Sequence, residues 1–412
     1  MNLNKLLARK YKFREVLGKT SLFFSLFITL PFFSIGGIEI NKPQDPIAKF
    51  NLYAKEAIEH WNLPGIAYAI VSDGKIIDIE CHGYKDVKRK EKIDKNTIFR
   101  IASISKSFTA VLASKLQEKK YITFNDKINK FLPHIKFSND HYASLLKISD
   151  LLKHTTGFAP RAFSKLIEDE QITYNDIHKQ VEKTNFTHKP GVNFNYQNYM
   201  FNLVADIMQN STGKSFQEIL EEEIIIPLKL ENTSSGVDSF LNNQNKALPH
   251  SLAGPRNFIL SINDIKSPYY KVPAAGGINS SIKDMAKWLQ VIMGYHPNFI
   301  DKKSIESLQK PLVATPGFLE DTSWSSLESS YYGYGFRVHQ FFGGEKVIHH
   351  GGALNGFRSS IVFIPSKKIG IVILSNANSP IPGLLTANFI DLMLGFEFKN
   401  YSKQYFKKYF DS

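Results

Sequence analysis

Strand-like segments at both ends of this 412-residue chain, with helical ones between them, limit its fold more than any other feature. Ile66–Val71 and Lys75–Cys81 are short apolar runs on either side of Asp73-Gly74, the pattern of a hairpin with an Asp-Gly turn. Near the other end, Tyr334–Gln340, Lys346–His350, Phe357–Ile364 and Ile369–Ser375 are four more such runs separated by turn signals. Helical spacing marks Ile47–Trp61, where Phe50, Tyr53, Ala54, Ala57, Ile58 and Trp61 share a face, and again Leu384–Leu394. Residues 125–290 are mostly helical segments and loops, and 315–330 have the composition of a surface insertion. These patterns predict an α+β fold: an antiparallel sheet built from both ends of the chain, flanked by helices, with an all-helical region inserted.

The composition, 43% apolar and 22% charged, is that of a globular protein with a large core. The net charge of +13 invites a nucleic-acid partner, but the lysines are spread along the whole chain and acids break their densest run, so no nucleic acid is expected. Cys81 is the only cysteine, which excludes an internal disulfide and a cysteine-based metal cluster, and nothing calls for a metal or other cofactor. Lys5, Arg9, Lys10, Lys12, Arg14 and Lys19 precede an uncharged run from Ser21 to Ile38. That order is expected of a signal peptide or a single membrane anchor. The predicted layout is a leader or anchor over 1–40, one catalytic domain over 41–395 and a basic, aromatic tail over 396–412. The protein would be exported, periplasmic or held at the cytoplasmic membrane facing outward.

Ser103-Ile104-Ser105-Lys106 opens a stretch with helical periodicity, in which Ile104, Phe108, Val111, Leu112 and Leu116 form an apolar stripe. A serine hydroxyl is a weak nucleophile until a base takes its proton, and positions i and i+3 share a helix face. Lys106 can therefore serve Ser103. Ser-x-x-Lys also occurs at Ser72, Ser144, Ser211, Ser280 and Ser307, so the pattern alone does not single out Ser103.

Two further elements do. Tyr196-Gln197-Asn198 is the chain's one Tyr-x-Asn. A phenol near an ammonium is expected to have a lowered pKa and to move protons, and the asparagine amide can hold a side chain or a substrate carbonyl. His350-Gly351-Gly352 closes the predicted strand Lys346–His350, where glycines would let a substrate lie close and His350 could bond the Tyr196 phenol or the substrate. If a neutral His350 is needed, activity should fall on the acid side with a histidine-like transition.

In order and context these motifs resemble the serine β-lactamase and penicillin-binding protein superfamily, in its class C-like branch. The resemblance runs through FRIASISKSFTA from Phe99, LLKHTTGF from Leu151, PGVNFNYQNYMFNLVADIM from Pro190, PAAGGINSSIKDMAKWL from Pro273, YGYGFRV from Tyr332 and HHGGALNGFRSSIVFIP from His349. It implies Ser103 as acylated nucleophile, Lys106 as general base, Tyr196 as proton shuttle and Asn198 as substrate-positioning residue. It also implies an oxyanion hole from the N–H groups of Ser103 and Ala353, with Gly351 and Gly352 beside it, and His154 as scaffold. His350 stands where many members have lysine. A lysine is always cationic near neutrality and a histidine is not, so carboxylate capture is weaker and β-lactamase activity proper is disfavoured. The implied substrate is a peptide, ester or β-lactam carbonyl, with peptidoglycan peptides foremost. The alternative is a non-catalytic or slowly deacylating β-lactam sensor on a membrane anchor.

Overall fold

The computed structural model describes residues 45–253, 256–259, 268–315, 324 and 326–410. The basic N-terminal segment and the uncharged run behind it lie outside these residues. Among the described residues no helix is long and apolar enough to cross a membrane.

Nine strands form one antiparallel sheet. In chain order they are β1 (Gly65–Ser72), β2 (Lys75–Asp86), β3 (Glu91–Lys92), β4 (Val313–Ala314), β5 (Leu327–Tyr332), β6 (Arg337–Phe341), β7 (Glu345–Leu354), β8 (Phe357–Ile364) and β9 (Ile369–Ser375). Their spatial order is β3-β2-β1-β9-β8-β7-β6-β5-β4, so the N-terminal hairpin joins the last strand and closes the sheet from both ends of the chain. The β1–β2 turn works because Asp73 and Gly74 both take positive φ, 46° and 75°, the backbone of a two-residue hairpin loop.

β1 and β9 are central strands, and both faces are covered. Ile66, Tyr68 and Ile70 pack with Ile369, Ile371 and Ile373 against α1 (Pro46–His60). On the opposite face Ala67, Ala69 and Val71 join Val372 and Leu374 in a core with α2 (Ser105–Glu118). Such double burial explains the unbroken apolar runs, since a half-exposed strand would alternate. α3 (Asn198–Thr212) belongs to the helical region, and α4 (Ile282–Ile292) stacks Trp288 on Phe108 of α2 at 3.8 Å. α5 (Ile381–Leu394) lies on the α1 face. α6 (Tyr401–Phe410) packs there too: Trp61 Nε1 donates to Ser402 Oγ at 3.0 Å and the Tyr401 hydroxyl to Asp391 at 2.8 Å.

The structure differs from the sequence pattern in several places: β2 runs on past Cys81 to Asp86, short strands such as Ser234–Ser235 and Ile278–Ser281 lie in the region expected to be all-helical, and three differences fall in the C-terminal strands. β6 begins at Arg337, not Tyr334, because Gly335 turns the chain with φ 73° and its Cα backs onto the Lys106 carbonyl. β7 does not end at His350 but continues through both glycines to Leu354, and the hairpin turn is Asn355-Gly356. Residues 327–330, expected in a surface insertion, form part of β5. Most of the remaining insertion lies outside the described residues.

Candidate active site

Ser103 sits in a tight turn, Ala102–Ile104, that runs directly into α2. Ala102 takes φ 50°, a left-handed conformation that is costly for a residue with a Cβ and is kept only where the surroundings impose it. Here β7 imposes it. A Cβ added to Gly352 would lie 2.5 Å from the Ile101 carbonyl oxygen and 3.1 Å from the Ala102 Cβ. Ser359 Oγ donates to that same carbonyl at 2.8 Å. Gly352 therefore gives room to the protein's own nucleophile turn rather than to a substrate backbone.

Lys106 lies one turn along and is fully buried. Its Nζ is 3.3 Å from Ser103 Oγ, 2.7 Å from Asn198 Oδ1 and 2.8 Å from the Ala275 carbonyl oxygen. Burial, and then the charge of Arg337, hold its pKa well below the lysine value. A neutral amine has two protons and one lone pair. The amide oxygen and the carbonyl only accept, so in the neutral form of Lys106 they take the protons and the lone pair is left for the Ser103 hydroxyl. That arrangement can draw a proton from a serine.

Tyr196 and Asn198 reach the same point from the start of α3. The Tyr196 phenol shares the cavity with Ser103, which acts to lower its pKa, and its ring lies 4.7 Å from Lys106 Nζ. The expected lowering of its pKa is not found: burial pushes it up to about 12, and Ser103 and Arg337 offset only part of that. A phenol raised this far keeps its proton near neutrality, so the resting group is a proton donor. The scaffold expected of His154 is visible. Its ring is 4.3 Å from that of Tyr196, and its Nδ1 accepts the Gln197 N–H at 3.2 Å.

His350 is buried in mid-strand and bonds neither the Tyr196 phenol nor Ser103. Its Nδ1 donates to the Gly351 carbonyl at 2.8 Å, and its Nε2 accepts from the Tyr332 hydroxyl at 2.9 Å. Burial, then Arg337 and Lys106, lower its pKa well below the ordinary value, so the ring is neutral. It forms wall, not charge.

Ser103, Tyr196, Asn198, His350, Gly351, Gly352 and Ala353 all border one cavity of about 700 Å³. Only Lys106 of the predicted set lies behind its surface. β6 leaves β7 at the Arg337–His349 pair, so beyond it the cavity edge of β7 has no strand partner among the described residues. Ala353 is on that edge. Three charged groups in the cavity were not singled out from sequence: Arg161, Arg337 and Arg358, with Glu168 opposite in sign. Arg358 is committed to the Leu354 and Phe357 carbonyls at 2.7 and 2.8 Å. Arg337 lies 5.9 Å from the Tyr196 ring and 5.8 Å from that of Tyr332, which places a cation next to the reacting groups. No group of His, Cys, Asp and Glu side chains among the described residues could hold a metal.

Comparison with known proteins gives the family. The Beta-lactamase family model matches residues 51–392. "Protein flp" of Staphylococcus aureus strain MW2 is 25% identical over 327 residues, 78% of this chain and 61% of its own length. The chain thus spans about three fifths of that relative. A "Beta-lactamase" of Escherichia coli K12 is 25% identical over 356 residues, covering 80% of this chain and 88% of that protein. Among solved structures, "the octameric penicillin-binding protein homologue from Pyrococcus abyssi" superposes with a TM-score of 0.74 at 26% identity, over 85% of this chain and 78% of that one. Fold, motif order and the family match together place this chain in the Beta-lactamase family, within the class C-like serine β-lactamase and penicillin-binding protein superfamily.

Proposed function

We propose that the protein is an exported serine hydrolase that forms an acyl-enzyme at Ser103 and acts on peptides with a free carboxylate, of the kind found in the bacterial cell wall. The observation that carries the first part is the buried Lys106 amine, held by the Asn198 amide oxygen and the Ala275 carbonyl at 3.3 Å from Ser103 Oγ; a neutral Lys106 bonded to both acceptors has its lone pair left for Ser103. In acylation the Ser103 proton moves to Lys106 Nζ as Oγ bonds the substrate carbonyl carbon. The N–H groups of Ser103 and Ala353 hold the oxyanion. When the intermediate collapses, the Tyr196 phenol gives its proton to the departing nitrogen or oxygen, and the Lys106 ammonium returns one to the phenol. Water then attacks the ester carbonyl, its proton passes through Tyr196 and Lys106, and Ser103 leaves with its own proton restored. Export rests on the basic segment followed by an uncharged run at the N-terminus.

The substrate class rests on Arg337. With His350 neutral, β6 rather than β7 brings a cation, Arg337, near the reacting centre, and Arg161 lines the same cavity. A guanidinium suits a carboxylate better than an ammonium does, because it can donate two parallel hydrogen bonds. Arg337→Ala should therefore lower kcat/KM for a D-alanyl-D-alanine peptide on the order of 30-fold. A short neutral ester should lose no more than a few-fold, since burial, the larger cause of the Lys106 shift, remains. Assays on both substrates with a chromogenic cephalosporin alongside would check this. Equal losses on the peptide and the neutral ester would remove the carboxylate from the proposal.

A further inference from the structure

We propose that Asn202 is a positioning residue for Lys106, acting through the Ala274–Ala275 turn rather than by contact. The inference rests on the role of Lys106 as base given above. Asn198 and Asn202 are one turn apart on α3. Asn198 touches the Lys106 amine directly, whereas Asn202, which is buried, accepts the Ala274 N–H at 3.0 Å. The next carbonyl, that of Ala275, takes one of the two Lys106 protons. Thr109 on α2 donates to the Ala274 carbonyl at 2.7 Å, so the turn is held from both sides.

The direction of the Asn202 amide is set by a chain of donors and acceptors. Its Nδ2 donates to the Tyr174 hydroxyl at 2.9 Å, and that hydroxyl donates to Asp206 Oδ2 at 2.7 Å. A phenol that gives its proton to a carboxylate can only accept from the amide. The amide oxygen is thereby turned toward Ala274. Without this fixing, the Ala275 carbonyl is free to shift. A Lys106 amine short of one acceptor no longer keeps its lone pair on Ser103, and misplacements on the order of 1 Å are enough to cost about a hundredfold in rate.

The test is the rate at which a fluorophosphonate probe labels Ser103, in Asn202→Leu and Tyr174→Phe proteins. Asn202→Leu should slow labelling about 10- to 100-fold, and Tyr174→Phe, which removes only the orienting hydroxyl, by a smaller factor of about 3 to 10. On a Lys106→Ala background neither change should slow the residual labelling further, because the group they position is gone. A purely structural role predicts the same loss on both backgrounds, and that result would overturn the proposal, as would wild-type labelling in both variants. If Asn202→Leu does not fold, Tyr174→Phe decides alone. Should the wild type not be labelled at Ser103, the hydrolase proposal falls, and NMR titration of labelled lysines then judges Asn202 separately. Loosening of the turn lets water reach Lys106, so its pKa should move up by about one unit or more in Tyr174→Phe. An unmoved Lys106 would refute the positioning role.

Discussion

Lys106→Ala is expected to lower acylation of Ser103 by about a thousandfold while the protein stays folded. Two effects add. The substitution removes the base, and it leaves the Asn198 amide oxygen and the Ala275 carbonyl without the donor they share. Lys106→Arg should fare no better. A guanidinium stays protonated at any usable pH and has no lone pair to offer, so it restores charge without restoring the base. Stopped-flow acylation by a chromogenic ester, read beside a thermal melt, measures both variants. Recovery of most of the rate by arginine would show that the site needs a positive charge there and would contradict a neutral amine.

The second large effect is acid lability. His154, His339, His349 and His350 are buried, and burial is the main cause holding each below the ordinary histidine pKa of 6.5, His349 at about 3. The sign follows from proton counts. Above pH 6.5 both folded and unfolded chains carry these rings neutral, and the stability is fully present. As the pH falls below 6.5 the unfolded chain takes up protons that the folded one refuses, so stability is lost progressively toward the lowered pKa values. Each ring contributes about 1.4 kcal/mol per pH unit, and the four together up to about 5 kcal/mol per unit at the steepest. Against a domain stability of about 5–15 kcal/mol, that unfolds the protein within a few pH units. Urea unfolding should show a plateau above pH 7 and a steep fall between pH 6 and 4.5, made shallower by His349→Gln. A constant unfolding midpoint over that interval would count against neutral buried rings. The same argument changes the expected rate profile. His350 stays neutral well below the usual histidine range, so kcat/KM should show no histidine-like transition until the protein itself unfolds.

What could be read from the sequence was local or doubly determined. Ser103 and Lys106 are three residues apart on one helix turn, so their meeting needs no knowledge of the fold. β9 is apolar at nearly every position, and β8 from Ile361 to Ile364, because both faces are covered, and Phe357–Ile364 and Ile369–Ser375 keep their predicted bounds. The rest depends on long-range contact. The third partner of Lys106 is a backbone carbonyl from a turn about 170 residues away, and a carbonyl has no signature in a sequence. Arg337 looks like any strand-start arginine until β6 sets it beside Tyr196. In sequence, Gly351-Gly352 reads as a strand end because glycine pairs usually mark turns. In the structure Gly352 instead allows β7 to press on the Ser103 turn. The Tyr196 phenol went the other way from expectation because desolvation depends on burial, which the sequence does not state, and burial is the largest effect on it.

The account stands on Ser103 as the atom that becomes acylated. Intact-mass and peptide mapping after exposure to a fluorescent penicillin and to a chromogenic ester test this directly. The predicted result is one adduct per chain, carried on the peptide that contains Ser103 and absent from Ser103→Ala. An adduct mapped elsewhere, or one that persists in Ser103→Ala, would contradict it.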